Sequence, residues 1–200
     1  MRNISLFVED TGHREFLNAV LSRFAGQYKL NLTIKFESAL GGHGKAITEL
    51  KLYVRDLERN NKIVPDLLIA ATDGNCKGYL ARKQEVDNVT KHFGGAVICA
   101  IPDPHIERWF LLDSSAFKEA FGVGCSVPTY KCERHLYKKL YDEALTRAGQ
   151  ESILGGTEYV RTLVNAMDLD KLERSEDSLG RFLKSLRQQF QEWVRIDNQS

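Results

Sequence analysis

No stretch of this chain approaches the roughly 18–20 consecutive apolar residues that a membrane span requires, and no internal repeat or low-complexity tract breaks it up. The first apolar run, Ile4 to Val8, is too short for a secretory leader and reads instead as a strand. The four cysteines, Cys76, Cys99, Cys125 and Cys132, show no framework spacing. The expectation is therefore four reduced thiols in a soluble, cytoplasmic protein that does not engage a membrane. Charge of either sign is not in surplus: 28 Lys and Arg against 27 Asp and Glu leave a formal net charge of +1. That balance removes any global electrostatic case for nucleic-acid binding and leaves only local patches to argue from. A Walker motif is also missing. Gly41-Gly42-His43-Gly44-Lys45 invites a phosphate-loop reading, but the G-x-x-x-x-G-K-[ST] pattern would need glycine at Ala39 and a hydroxyl at Ala46. A glycine-rich turn entering a helix still exposes backbone N–H groups, so Lys45 is kept as a candidate phosphate contact, with an ordinary loop as the alternative.

What is present is an ordinary globular composition, 42% hydrophobic and 28% charged over 200 residues. A chain of this length buries a sizeable core without disulfides or structural metal. The first half alternates strand and helix patterns. Ile4 to Val8 is followed by Phe16, Leu17, Val20, Leu21 and Phe24 at helical spacing, with Gly26 as the expected stop. Leu30, Leu32, Ile34 and Phe36 then alternate as a half-exposed strand does, and Ile47, Leu50, Val54 and Leu57 mark the inward face of a second helix. Leu67 to Ala71 and Ala96 to Ile101 are continuous apolar runs, as in parallel strands buried on both faces; a helix from about Gly78 to Phe93 separates them. The order β-α-β-α-β-α-β predicts an α/β fold with a mainly parallel four-stranded sheet flanked by helices.

From His105 onward the texture is helical: 105–113, a turn or short helix over 114–121, then 133–147, 157–167 and 179–194. Leu179, Phe182, Leu183, Leu186, Phe190 and Trp193 form an apolar stripe, which reads as core or, failing that, as a face for a partner helix and a homodimer. Residues 1–115 are expected to form the α/β domain, and 116–200 a helical extension packed on it.

Ligands of open parallel sheets bind outside the carboxyl ends of the strands. Three predicted strand ends carry acids: Glu9 after the first, Asp73 after the third, and Asp103 with Glu107 after the fourth. Carboxylates gathered this way repel one another unless a cation neutralises them, and oxygen donors of this kind suit Mg2+ or Mn2+. The alternative is that the acids cap the helices that follow them. Two further clusters offer candidate sites. Cys125, Cys132 and His135, with His105 as a fourth, lack recognised zinc spacing. Lys131, Arg134 and Lys138, beside Lys139 and with Tyr137 and Tyr141 nearby, form a basic stripe suited to a nucleic-acid backbone or, as such stripes usually are, a solvated face.

Ile4-Ser5-Leu6-Phe7-Val8-Glu9 resembles the first strand of a Toprim domain, which ends in a glutamate, and Thr72-Asp73-Gly74-Asn75 falls where that fold carries its Asp-x-Asp pair. Ile106-Glu107-Arg108-Trp109-Phe110-Leu111-Leu112-Asp113 resembles the Ile-Glu-x-Trp-Leu-Leu-x-Asp helix of small prokaryotic Toprim-like proteins related to the OLD-family nucleases. The likeness covers residues 1–115 and extends loosely to Asp177–Phe182. It implies catalytic roles for Glu9, Asp73 and Glu107, with Glu9, Asp73, Asn75, Asp103 and Glu107 around Mg2+ or Mn2+. Asn75 stands where the second acid of the pair is expected, and the glutamate that often follows the first strand is missing, with Asp10, Glu15 or Asp103 as substitutes.

The resemblance implies a metal-dependent nuclease of DNA or RNA, acting in defence against phage or other mobile elements. Its ATPase of the SMC/ABC kind would be encoded separately. The alternative is a catalytically degraded Toprim fold that binds nucleic acid or a partner protein, and a third reading is a small-molecule phosphohydrolase using the same acids.

Overall fold

The computed structural model describes residues 1–39, 45–59, 64–133 and 135–199. The glycine-rich turn at positions 41–44 and Arg134 of the basic stripe lie outside them. Four strands, β1 (Arg2–Val8), β2 (Leu32–Ser38), β3 (Leu67–Ala71) and β4 (Ala96–Ala100), pair in the order β2-β1-β3-β4. Every pair is parallel, in the Rossmann-like α/β manner that the alternation predicted. The chain leaves β1 in one direction to form β2 and returns across it to form β3, so the order reverses between β1 and β3. That reversal opens a crevice at the carboxyl ends of these two strands.

Side chains alternate between the faces of the sheet. Ile4, Leu6 and Val8 of β1, with Leu67, Ile69 and Ala71 of β3, point into the larger core, which α1 (Thr11–Tyr28) covers with Phe16, Leu17, Val20, Leu21 and Phe24. Phe7, Leu68 and Ala70 point the other way, against Leu50 and Val54 of α2 (Ala46–Arg59) and Val86 of α3 (Tyr79–Thr90). β3 is buried along its whole length, which is why it carries no polar residue at all.

The C-terminal half completes the larger core. It comprises α4 (Ile106–Phe110), α5 (Ser114–Phe121), α6 (Leu136–Arg147), a 3-10 turn at Thr157–Tyr159, α7 (Val160–Ala166), α8 (Leu169–Ser175) and α9 (Asp177–Asp197). The apolar stripe of α9 is core throughout: Leu179, Phe182, Leu183, Leu186, Phe190 and Trp193 are all buried among residues of β1, β4 and α1. The partner-helix reading of that stripe, and the homodimer argued from it, therefore lose their basis. Trp109 stacks on Phe182 at 6.0 Å between centroids and donates from Nε1 to Ser178 Oγ at 2.9 Å.

Several boundaries differ from the sequence expectation, each for a local reason. α1 runs through Gly26, whose cost inside a helix is only about 1 kcal/mol, and ends at Lys29 in a left-handed conformation, φ 54°. α4 stops at Phe110 because Asp113 caps α5 instead, accepting from the N–H groups of Ser115 and Ala116. α6 begins at Leu136 rather than 133. The unforeseen α8 is a seven-residue piece capped by Asp168, and it lies so close to α9 that a β-carbon at Gly180 would sit 2.5 Å from the Glu173 carbonyl oxygen.

Candidate functional site

The crevice between β1 and β3 is a polar cleft of about 440 Å3, lined by Asp10, Asp73, Asn75, Cys76, His105, Glu107, His135 and Lys138. Strand geometry explains the convergence. Val8 and Ala71 are register partners, so the residues that follow them, Asp10 and Asp73, leave the sheet side by side. The β3 loop is then tied to the β4 loop by two backbone bonds, Gly74 N–H to the Pro102 carbonyl at 2.7 Å and Asn75 N–H to the Pro104 carbonyl at 3.0 Å. Glycine eases that approach: a β-carbon at Gly74 would stand 3.0 Å from Asp103 Oδ1 and 3.1 Å from the Pro102 oxygen, close enough that a neighbour would have to give by a few tenths of an ångström. α4 follows at once and brings His105 and Glu107 to the same opening.

Asp73 is the hub. It is 2% exposed. Its Oδ1 accepts from the Ile106 N–H at 2.9 Å and lies 3.2 Å from His13 Nε2, and its Oδ2 meets His105 Nδ1 at 3.1 Å. His13, buried on α1, turns its other nitrogen to Asp10 Oδ1 at 2.8 Å. The result is a continuous chain, Asp10–His13–Asp73–His105. Burial favours neutral groups, but the attraction across these contacts overrides it. Asp10 and Asp73 are held below the ordinary carboxylate range by their histidines, and His13 is held well above the usual imidazole value. The hydrogen bond to Asp73 does the same for His105. Burial raises Glu107, with the neighbouring Asp73 and Asp10 charges adding to it.

The other sequence candidates fall in different places. Glu9 is buried behind the cleft, where its Oε2 accepts from Thr72 Oγ1 at 2.7 Å and from the Asp73 N–H at 3.0 Å, bracing the loop that carries Asp73. Asn75 lines the cleft with φ 46°. Asp103 does not line it; its Oδ1 accepts from the Tyr130 hydroxyl at 3.3 Å. Lys138 stands on the rim, whereas Lys131 is exposed on the segment before α6 and Lys45 on the turn before α2. Tyr137 and Tyr141 are no stacking platform. Both rings are fully buried, and their hydroxyls hold the backbone at Thr129, Lys131 and Gly156. Along α6 the Lys138–Lys139 pair is followed one turn later by Asp142 and Glu143, and Lys139 Nζ is 3.8 Å from Glu143. The capping alternative holds in part: Asp10 caps α1, and Asp73 caps α4 from across the sheet edge.

Two features escaped the sequence reading, a buried histidine and a disulfide. His13 sits in a helix whose spacing marks only an apolar face, and nothing in the linear pattern flags a buried imidazole between two acids. Cys76 and Cys132, 56 positions apart, are joined by a disulfide with α-carbons 5.6 Å apart. This corrects the expectation of four free thiols. It also dissolves the zinc candidate, because Cys125 lies apart from them, buried under Leu111.

The oxygens around the cleft match Mg2+ or Mn2+ in kind, since hard cations take carboxylate and amide oxygens and keep their waters. Their present engagement is with protein donors, and a cation on Asp73 competes with His105 for Oδ2. Among the described residues, no three His, Cys, Asp or Glu side chains are grouped as a ready metal cage. No helix among them is long and apolar enough to cross a membrane. No family model, curated protein or solved structure matches the chain.

Proposed function

We propose that the cleft hydrolyses phosphodiester bonds of DNA or RNA with the help of Mg2+ or Mn2+. The observation that carries this reading is the gathering of Asp10, Asp73, Glu107 and the Asn75 amide around one polar cleft at the reversal point of a parallel sheet. Asp73, Glu107 and Asp10, with the Asn75 oxygen, would hold the ion, which supplies an activated water and offsets charge on the leaving oxygen.

The remaining work falls to the chain itself. Glu9 and Thr72 fix the backbone of Asp73, so the carboxylate is aimed before any ligand arrives. His13 keeps Asp73 charged and tied to α1. Lys138, exposed on the rim, meets a backbone phosphate entering the cleft. Lys131 serves as a further phosphate contact on the segment before α6, and Lys45 as a more distant one. A role in defence against mobile elements, with a separate SMC/ABC-type ATPase, belongs to this proposal through the sequence resemblance alone.

A second reading, a nucleic-acid- or protein-binding module without catalysis, draws support from one observation: Glu9 Oε2 and both Asp73 oxygens already have protein donors. Mn2+-dependent cleavage of plasmid DNA and single-stranded RNA separates the two, with Asp73→Asn and Glu107→Gln proteins assayed beside the parent. Cleavage by the parent that both variants lose supports the nuclease. Cleavage that survives in both variants, or none by the parent together with no Mn2+ uptake by calorimetry, replaces it with the binding module.

A further inference from the structure

We propose that the Cys76–Cys132 bond is a redox-controlled strap that fastens the segment Gly124–Glu133 to the edge of the acidic cleft at Cys76, and that a dithiol reductant releases it. The inference adds regulation to the cleft and rests on the nuclease reading only for its effect on catalysis.

The location of the bond is the first argument. Cys76 lines the cleft three residues after Asp73, and Cys132 lies four residues before α6, which carries Lys138 on the same rim. The link therefore joins the loop that supplies the hub carboxylate to the segment that leads to the rim cation. Its two ends differ in support. The β3 loop is bonded firmly to the β4 loop through Gly74 and Asn75, although Asn75 and Cys76 are consecutive non-glycine residues with positive φ, 46° and 63°. Such backbone persists only where its surroundings hold it in place. The segment from Gly124 to Glu133 has no regular structure.

What else holds that segment is the second argument. Tyr137 pins Thr129 and Lys131, but to α6 and not to the sheet edge. Cys125 fixes the far end through a 3.7 Å contact with the Leu111 carbonyl. Among the side-chain hydrogen bonds of the described residues, only the long Tyr130–Asp103 bond, 3.3 Å, joins the segment to the β4 loop. Among the described residues, breaking the disulfide leaves that hydrogen bond as the side-chain link between the segment and the strand-end loops, while α6 itself stays anchored by the buried Tyr137 and Tyr141.

Access is the third. Both cysteines of the pair are exposed. Cys99 and Cys125 are buried, and burial pushes each thiol up to about 11, so at neutral pH neither forms enough thiolate to compete in exchange. In the step itself, a thiolate of the reductant attacks one sulfur of the pair, the protein S–S bond breaks and a mixed disulfide forms. The second thiol of the reductant then displaces the protein sulfur. Two electrons and two protons pass to Cys76 and Cys132, and the reductant leaves as its own disulfide.

The test uses the full chain, mildly oxidised and then treated or not with dithiothreitol. Alkylation read by mass spectrometry is expected to label Cys76 and Cys132 only after reduction. Hydrogen exchange over residues 124–133 is expected to speed at least tenfold on reduction, and Cys132→Ser protein to match the reduced state with or without reductant. This readout needs no nuclease activity, so the strap can stand or fall separately from the catalytic proposal. Exchange unchanged by reduction overturns it, as does a reductant response that persists in Cys132→Ser. Isolation of the protein with both thiols free under oxidation, or bound to zinc, overturns it equally.

Discussion

His13 Nε2 lies 3.2 Å from Asp73 Oδ1 while Nδ1 of the same ring lies 2.8 Å from Asp10 Oδ1, so one buried imidazole ties two carboxylates together. The arrangement stabilises the fold only while the ring is charged and the acids are ionised. The His13 contribution is complete below its unfolded value of 6.5 and is lost as pH rises through the raised folded value. The Asp10 and Asp73 contributions are complete above 3.8 and are lost as pH falls through their depressed folded values. Urea unfolding in EDTA is expected to show a stability plateau between these limits, declining on both sides. His13→Asn protein should have a lower plateau and a much smaller alkaline decline. An alkaline limb of equal size in the variant would assign it to other groups.

Thr72 Oγ1 donates to the buried Glu9 carboxylate at 2.7 Å. Thr72→Val keeps the shape and removes the donor, and hydrogen bonds to charged groups contribute about 1.5–3 kcal/mol. Chemical denaturation should show a loss in that range. A loss below about 0.5 kcal/mol, the scale of a surface substitution, would mean that another donor takes over.

Ser178→Ala leaves the buried Trp109 N–H without its partner, a penalty of about 1–3 kcal/mol. Trp109→Phe alone loses packing as well. The double variant tests the bond itself: its loss of stability should be smaller than the sum of the two single losses, because the orphaned donor is gone. Simple additivity would argue that Ser178 contributes nothing through Trp109.

Gly74→Ala puts a methyl group 3.0 Å from Asp103 Oδ1 and 3.1 Å from the Pro102 oxygen, so the β3 and β4 loops are expected to yield by a few tenths of an ångström. Displacing Asp73 relative to Glu107 by even part of an ångström is expected to reduce Mn2+-dependent cleavage, on the order of 100-fold for a 1 Å shift. Melting temperature should move far less than activity does. Unchanged cleavage would show that the two loops need not be in register.

The sheet was legible in the sequence because parallel strands buried on both faces leave uninterrupted apolar runs, as Leu67 to Ala71 does. The acids that follow such runs share an edge by construction, and Asp73 and Glu107 do meet there. Direction was not legible. Asp103 sits at the right strand end and turns to Tyr130, and Glu9 turns inward to the loop behind the cleft. Tyr137 and Tyr141 share a helix with lysines yet face the opposite way, a distinction set by packing rather than by spacing. The Cys76–Cys132 pairing depends on where a segment without periodicity comes to rest, which no local pattern encodes.

The burial of α9 has a consequence for how the chain is made. Phe24 and Trp109 are synthesised 166 and 73 residues before their ring partners Phe190 and Phe182. Arg2, on the first strand, lies over the Trp193 ring and pairs with Asp197. On the ribosome, the strands and α1 therefore wait with one apolar face uncovered until residues 177–193 emerge from the exit tunnel. The larger core closes only once residues 177–193 are available, and chains stalled before that point are natural clients for chaperones and proteases.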